Sequence, residues 1–540
     1  MIRYNEEDTL KDSKKATTWY AIAAVVIIIA GLAVRGAFGA AKSEYHIDEG
    51  YSAALTNGDW LPGKDMAPHD EWLDSGKLFS LCFIDRLAAG GTPELAEITN
   101  ATAQDVHPPL YYWLFAFFRV AVGASRFALA GYLLNLALFA ISCALVAFIA
   151  WKAWRDWLSV LAALALFAFS SASISLTIFI RMYELLQTLC LGLLACAFVA
   201  MEPPEGRRRL PAIVFAVLGV FAFSFLGLLT QYYFLFFAVP VALVAAAWLL
   251  ARKRPATLLW CALAMLAGLY LAYRVFPAMK MHLTESYRAE QSVANIVKSG
   301  VSGKLSTLGA YLAILSRNLV PFAVLVAVFV LAVVERVRKA RGAHAAAAGS
   351  TGSGRSKAET ALFALSLATF GFTFVVVAIS APYQTARYIG AFFPAYALAF
   401  IGLARLVLGR KASLVMMGAA AILVFAHGVN PRNVCDFHED YAIEPAAFYM
   451  TDAKPVILIA SPEGGSWKNI MPYLNFGKGK RVYVTSERMG RPIEDKIMAI
   501  ARTSGEREVY VIVDDYFKRQ PDFEKIGWYA FYFVYRVTVE

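Results

Sequence analysis

Two acidic side chains stand together in Tyr45-His-Ile-Asp-Glu-Gly-Tyr51, just beyond an apolar run from Thr17 to Ala40. Adjacent carboxylates beside a membrane face are costly to desolvate and raise one another's pKa, which suits Asp48 and Glu49 to proton transfer. The same pair would also suit a helix N-terminus, where acids favour the dipole and Gly50 permits a turn. Further on, Val106-His-Pro-Pro-Leu-Tyr-Tyr112 sets His107 at the head of an aromatic-rich stretch, an ordinary place for proline if a helix starts there. Arg181-Met-Tyr-Glu184 and Arg387-Tyr388 put arginines at the ends of apolar runs, where such residues often only anchor a span. Gln231-Tyr-Tyr233 begins another run and fits either a pocket wall or an aromatic belt. His46, Asp48, Glu49 and His107 are all metal-ligand types, so a divalent ion stays open as a cofactor.

The elements that must hold these residues are membrane spans. Of 540 residues, 59% are hydrophobic and 17% charged, against roughly 45–50% and about 25% in soluble proteins. Mean hydropathy is +0.54, and apolar runs of spanning length recur along most of the chain. That composition excludes a soluble enzyme, a disordered scaffold and a secreted disulfide framework. The net charge of +11 does not indicate nucleic acid, because the basic residues sit in short breaks between apolar runs. Spans are expected at 17–40, 128–150, 157–177, 182–201, 211–229, 231–250, 257–277, 309–334, 361–380, 387–408 and 413–430. The first exceeds the roughly 7–15-residue apolar core of a cleaved signal, so it reads as a retained span with its N-terminus inside.

Parity decides the remaining stretch, Pro108 to Gly123. If it crossed, the basic clusters at Arg207–Arg209, Arg252–Arg254, Arg336–Arg341 and Arg410–Lys411 would all lie outside. If it lies along the outer surface, all four fall inside, and it is also short for a span. The expected architecture is therefore a polytopic α-helical protein of about 11 spans. A transmembrane module covers 1–430, and its first outer loop, 41–126, carries interfacial helices. Residues 431–540 form a small extracytoplasmic α/β domain, with strands at Val456–Ala460, Arg481–Thr485 and Val509–Val513 and a helix near Ile493–Ala501. This domain reads as a cap or acceptor-recognition module. Ser461–Ser466 reads as a plain turn, since it fits neither common phosphate-loop fingerprint, and 342–357 reads as a flexible linker. Six cysteines give no metal spacing; Cys82 and Cys435 share the outer side, which leaves a disulfide open.

An Asp-Glu pair after the first span, a His-Pro-Pro-Leu-Tyr-Tyr helix start and an outward Arg-x-Tyr together resemble the GT-C superfamily of integral-membrane glycosyltransferases. The likeness covers about 1–430, and is nearest to the bacterial branch akin to protein O-mannosyltransferases and lipid A aminoarabinose transferases. It implies a bacterial cytoplasmic-membrane enzyme, a polyprenyl-phosphate sugar donor, and an outer-face active site acting by inversion. Asp48 matches the family's catalytic Asp and would be the general base. Glu49 matches its acidic neighbour, to position Asp48, bind a sugar hydroxyl or hold a metal. His107 falls where some relatives carry Lys, which implies a role near the phosphate or a metal. A phosphate leaving group needs fixed positive charge, so the resemblance turns Arg387 first, and Arg181, toward that role, with Tyr183, Tyr232 and Tyr388 beside them. Lys280, His282 and Arg288 of the second outer loop read as solvated charge, or as steering for the donor headgroup. The acceptor is open among lipid, glycan and protein. The competing readings are a transporter or flippase of lipid-linked glycans, which would place ionisable groups at mid-membrane, and a non-catalytic envelope assembly protein.

Overall fold

The computed structural model describes residues 6–42, 46–58, 71–78, 94–123, 126–298, 300–318, 334, 357–381, 384–408, 410–434, 454–460, 481–486, 493–514, 521–529 and 532–539. Cys82, Cys435, Ser461–Ser466, the linker up to residue 356 and the second half of the span at 309–334 lie outside them. The chain is a polytopic helical membrane protein. Among the described residues seven helices are long and apolar enough to cross a membrane, or eight if one bent pair counts as a span. They are α1 (Glu6–Ala41, apolar from Thr17), α5 (Phe127–Trp154), α8 (Tyr183–Met201), α9 (Arg209–Leu228, with the short turn before it), α10 (Phe234–Ala251), α11 (Pro255–Val275) and α15 (Lys357–Ser380). Two shorter apolar helices, α17 (Phe393–Val407) and α18 (Arg410–Gly428), stand where the sequence predicts spans at 387–408 and 413–430. Helix α8 is buried from end to end, whereas α9, α11 and α18 turn Phe215, Leu218, Leu266 and Ile422 outward. In a protein with this composition, such exposed apolar faces meet lipid.

The predicted span at 157–177 is not one straight helix. It is α6 (Trp157–Ala168) followed by α7 (Ser171–Ile178), bent by 52°. Ser170 caps α7 by accepting from Ser173 N, and the carbonyls freed at the end of α6 need donors that lipid cannot supply. Arg35 of α1 serves one of these carbonyls, Ala168 O, and ties it to the hydroxyls of α7. Its Nη1 donates to Ala168 O at 2.6 Å and Gly31 O at 3.1 Å, its Nη2 to Ser173 Oγ at 2.7 Å, and its Nε to Thr177 Oγ1 at 2.9 Å. Gly428 of α18 closes the same break, since a Cβ there would run into the Phe169 carbonyl. The bend aims the end of α7 at the first outer loop.

That loop carries α2 (Ile47–Thr56), α3 (Leu95–Gln104) and α4 (Leu110–Val122). With 13 residues, α4 is about 20 Å long, short of the roughly 30 Å of a hydrocarbon core. Two charge clusters cap opposite ends of the bundle. At one, Arg405 pairs with Asp156 at 3.0 Å and Glu359 at 2.5 Å. At the other lie Asp48, His107, Arg181 and Arg387.

A six-stranded sheet is built on the C-terminal segment, from β1 (Trp72–Asp74), β2 (Val456–Ala460), β3 (Arg481–Ser486), β4 (Glu508–Asp514), β5 (Glu524–Tyr529) and β6 (Tyr532–Thr538), in order β1-β3-β2-β4-β6-β5. Strands β3, β2 and β4 are parallel, and β6 and β5 continue antiparallel. Alternation divides its faces: Ile457, Ile459, Val509 and Val511 pack on Ile497 and Ala501 of α19 (Glu494–Thr503). Val456, Leu458, Val482 and Ile512 join the apolar cluster continuous with the membrane helices. The sequence places this sheet in 431–540, but its edge strand β1, Trp72–Asp74, comes from the first outer loop and pairs antiparallel with β3, Trp72 opposite Tyr483.

Candidate active site

Helix α2 starts with a reciprocal cap. His46 Nδ1 accepts from Asp48 N at 3.0 Å, while Glu49 Oε2 accepts from His46 N at 2.7 Å. The far end of α2 is held by Arg119 of α4, whose Nη1 donates to Ala53 O at 2.9 Å, Asn57 Oδ1 at 3.1 Å and Thr56 Oγ1. The N-terminus is thus capped by the helix's own side chains and the far end is held by α4, which fixes the first turn, where Asp48 and Glu49 sit.

The two carboxylates face different surroundings. Glu49 is fully buried, with Lys42 Nζ at 2.5 and 2.7 Å and Ile180 N at 2.8 Å. Asp48 keeps a quarter of its side chain exposed and pairs with Arg387 Nη1 at 2.9 Å. Burial favours the neutral acid, but Arg387, then Arg181, His46 and His107, outweigh it and hold the Asp48 carboxyl well below the usual carboxylate range. Arg387 opens the short helix α16 (Arg387–Gly390) and lies over the Phe179 ring. Beside it, Tyr388 meets Tyr183 and Tyr233 edge-on, with ring centroids 6.3 and 5.2 Å apart.

Arg181 lies on the turn between α7 and α8 and is buried. Its Nη1 donates to Asp48 O at 3.1 Å and Ser52 Oγ at 3.2 Å, and its Nη2 stands 3.4 Å from His107 Nδ1. His107 is held by Asp105, with Nδ1 to Oδ2 at 2.8 Å. Burial lowers the His107 pKa, with Arg181 acting the same way, while Asp105 opposes both. Asp105 is in turn kept ionised: burial raises its pKa, but His107 and Arg181 lower it further. Tyr232 stands to one side, its hydroxyl 2.7 Å from His282 Nδ1, while His282 Nε2 reaches Ala103 O at 3.0 Å.

The structure therefore gathers Asp48, His107, Arg181, Tyr183, Arg387 and Tyr388 at one end of the bundle. It sets Glu49 behind them and Tyr232 beside them. Arg288 is half-buried and lies over the Tyr287 ring, 4.7 Å from its centroid. Two participants had no local signal in sequence: Asp105 and Lys42. Among the described residues no three His, Cys, Asp or Glu side chains come together as metal ligands. The candidates His46, Glu49 and His107 do not converge: Glu49 is filled by a lysine and two amides, and His107 turns Nδ1 to Asp105.

No family model matches the chain, and no curated protein does. Among solved structures it is similar to ArnT from Cupriavidus metallidurans bound to undecaprenyl phosphate, with TM-score 0.48 and 11% identity over 97% of this chain and 98% of that one. The apo state of the same ArnT gives TM-score 0.45 and 12% identity with the same coverage. The archaeal oligosaccharyltransferase AglB from Archaeoglobus fulgidus, in complex with an inhibitory peptide and a dolichol-phosphate, gives TM-score 0.39 and 11% identity over 92% of this chain and 69% of that one.

Proposed function

We propose that this chain is a membrane glycosyltransferase that moves a sugar from a polyprenyl-phosphate donor to an acceptor hydroxyl at the outer face of the cytoplasmic membrane. The observation that carries the reading is one carboxylate, Asp48, between two buried arginines at the end of an apolar bundle. A lipid phosphate arriving from the bilayer reaches fixed guanidinium groups there, and a partly exposed carboxylate faces the acceptor beside them.

In the proposed step Asp48 takes the acceptor proton as that oxygen bonds to the anomeric carbon. The bond from that carbon to the phosphate oxygen breaks with inversion, and its electron pair leaves on the polyprenyl phosphate. Arg387 and Arg181 offset the growing phosphate charge, and His107 adds to them when protonated. One carboxylate suffices, because the phosphate needs little acid assistance, unlike the leaving group of a glycosidase. Tyr183 and Tyr388 wall the sugar site; Tyr232 edges it. Lipid, glycan and protein hydroxyls remain open as acceptors, and the C-terminal sheet, tied to the first outer loop through β1, is suited to select among them. The expected orientation is N-terminus inside and residues 431–540 outside in a bacterial inner membrane, on the basic clusters between the apolar runs.

One observation favours a transporter instead: a span broken next to a buried arginine. Arg35 argues against it, because its three nitrogens all donate to protein groups at the break. It caps a bend rather than facing cargo. The test is mass analysis of envelope lipids and glycans with and without the protein, alongside release of polyprenyl phosphate by the purified chain. A glycan change with no donor cleavage would favour transport.

A further inference from the structure

We infer that Lys42, Glu49 and Asn135 form a positioning frame that sets Asp48 against Arg181, and that Glu49 itself moves no proton. The inference rests on the proposed function for what is being positioned. The frame is built around the turn between α7 and α8. Phe179, at the end of α7, has extended backbone (φ −90°, ψ 111°), and the turn's own hydrogen bond, Arg181 N to Phe179 O at 2.7 Å, leaves Thr177 O, Ile178 O and Ile180 N to be satisfied from elsewhere. Side chains from three other segments satisfy them. Asn135 of α5 donates through Nδ2 to Thr177 O at 3.0 Å and Phe179 O at 2.9 Å. Lys42, just past α1, donates to Ile178 O at 3.1 Å. Glu49 of α2 accepts from Ile180 N at 2.8 Å.

The next residue is Arg181, and the residue before Glu49 is Asp48. One carboxylate therefore joins the acidic turn to the arginine turn, and Arg181 returns the contact by donating to Asp48 O. Glu49 accepts four hydrogen bonds, two from Lys42 and one each from His46 N and Ile180 N. Both oxygens are occupied and nothing of the residue is exposed, so neither is offered to an acceptor hydroxyl. Lys42 is a buried cation, with 2% of its side chain exposed. A buried ion pair is weak evidence for stability but strong grounds for a fixed geometry, because removing one partner strands the other. Misplacement by about 1 Å is enough to cost on the order of 100-fold in rate.

The test compares wild type, Glu49→Gln, Asn135→Ala, the charge-neutral double variant Lys42→Met/Glu49→Gln, and Asp48→Asn, all as full-length protein in lipid nanodiscs. Hydrogen exchange over 177–183 is read first and needs no substrate. Exchange at least about tenfold faster in Glu49→Gln and Asn135→Ala, with Asp48→Asn unchanged, is expected; unchanged exchange in both frame variants overturns the frame. Turnover of a polyprenyl-phosphate sugar is then followed against pH. Glu49→Gln should lose about 10- to 100-fold in kcat with both pH limbs in place, and the double variant should regain part of that loss. Loss of a pH limb in Glu49→Gln would make Glu49 an acid–base group and overturn the inference. No turnover by wild type, with the exchange result as expected, would instead sink the proposed function and leave the frame standing.

Discussion

The Arg387 guanidinium lies 2.9 Å from the Asp48 carboxylate and forms an ion pair with it. Under the proposed function this pair joins the base to the cation meant for the leaving group. A base so paired is weak, and its proton affinity recovers only when something else takes the guanidinium. A donor phosphate is such a competitor, since it presents several oxygens to the same fork. Donor binding would then free Asp48 as well as bring the sugar to it.

Replacing Arg387 separates those two roles. Arg387→Ala should weaken donor use far more than folding, and Arg387→Lys should recover only part, because the bidentate fork is lost. The acid limb of turnover moves in a fixed direction. Arg387 depresses the Asp48 pKa, so the carboxylate stays charged far into acid in the wild type, and removing Arg387 shifts the limb to higher pH. The stability this pair contributes is fully present above the ordinary Asp pKa of about 3.9 and lost as pH falls through the lowered folded value. The limb to follow is that of kcat/KM, which reports the free enzyme, where Arg387 still pairs with Asp48; unchanged donor affinity and an unmoved limb in the Ala variant would remove Arg387 from the site.

His107 should make donor binding pH-dependent. Burial and Arg181 lower its pKa in the free protein, and an arriving phosphate acts in the opposite direction. Donor affinity is expected to rise as pH falls through and below the ordinary His value of about 6.5. A phosphodiester donor must be used, since a free monoester titrates near pH 6 itself. The slope should vanish in His107→Gln and become flat but tight in His107→Lys. A wild-type affinity independent of pH would contradict this role.

The topology has its own test. If the stretch from Pro108 to Gly123 lies along the outer surface, cysteines introduced at Gln104 and Ser125 should both label with an impermeant reagent from the outer side. Protection of the Ser125 site alone would reverse every later loop.

Much of this was legible in the sequence because it is local. Span positions follow from apolar length, strands β2, β3 and β4 from short β-branched runs, and the start of α2 from the two acids of its first turn. What was not legible depends on distant contacts. The run from Trp157 to Thr177 looks like one span by composition, and its bend becomes stable only with Arg35 from another helix and Gly428 from a third. Strand β1 is three residues long and exists through its pairing with β3. Glu49 looks like a second catalytic acid until Lys42 and Ile180 are seen to fill it. Asp105 stands two residues before His107, but nothing local marks it, because its bond to that imidazole depends on the loop's path.

The most direct measurement takes turnover and donor binding in the same purified Asp48→Asn protein. Asparagine keeps the shape and much of the hydrogen bonding and removes the basicity. Turnover should fall by about 100- to 10,000-fold, as general-base loss does, while the lipid donor still binds, because the carboxylate acts on the acceptor. Near-normal turnover in that variant would contradict the assignment of Asp48 as the base, and loss of binding together with turnover would make it a structural residue instead.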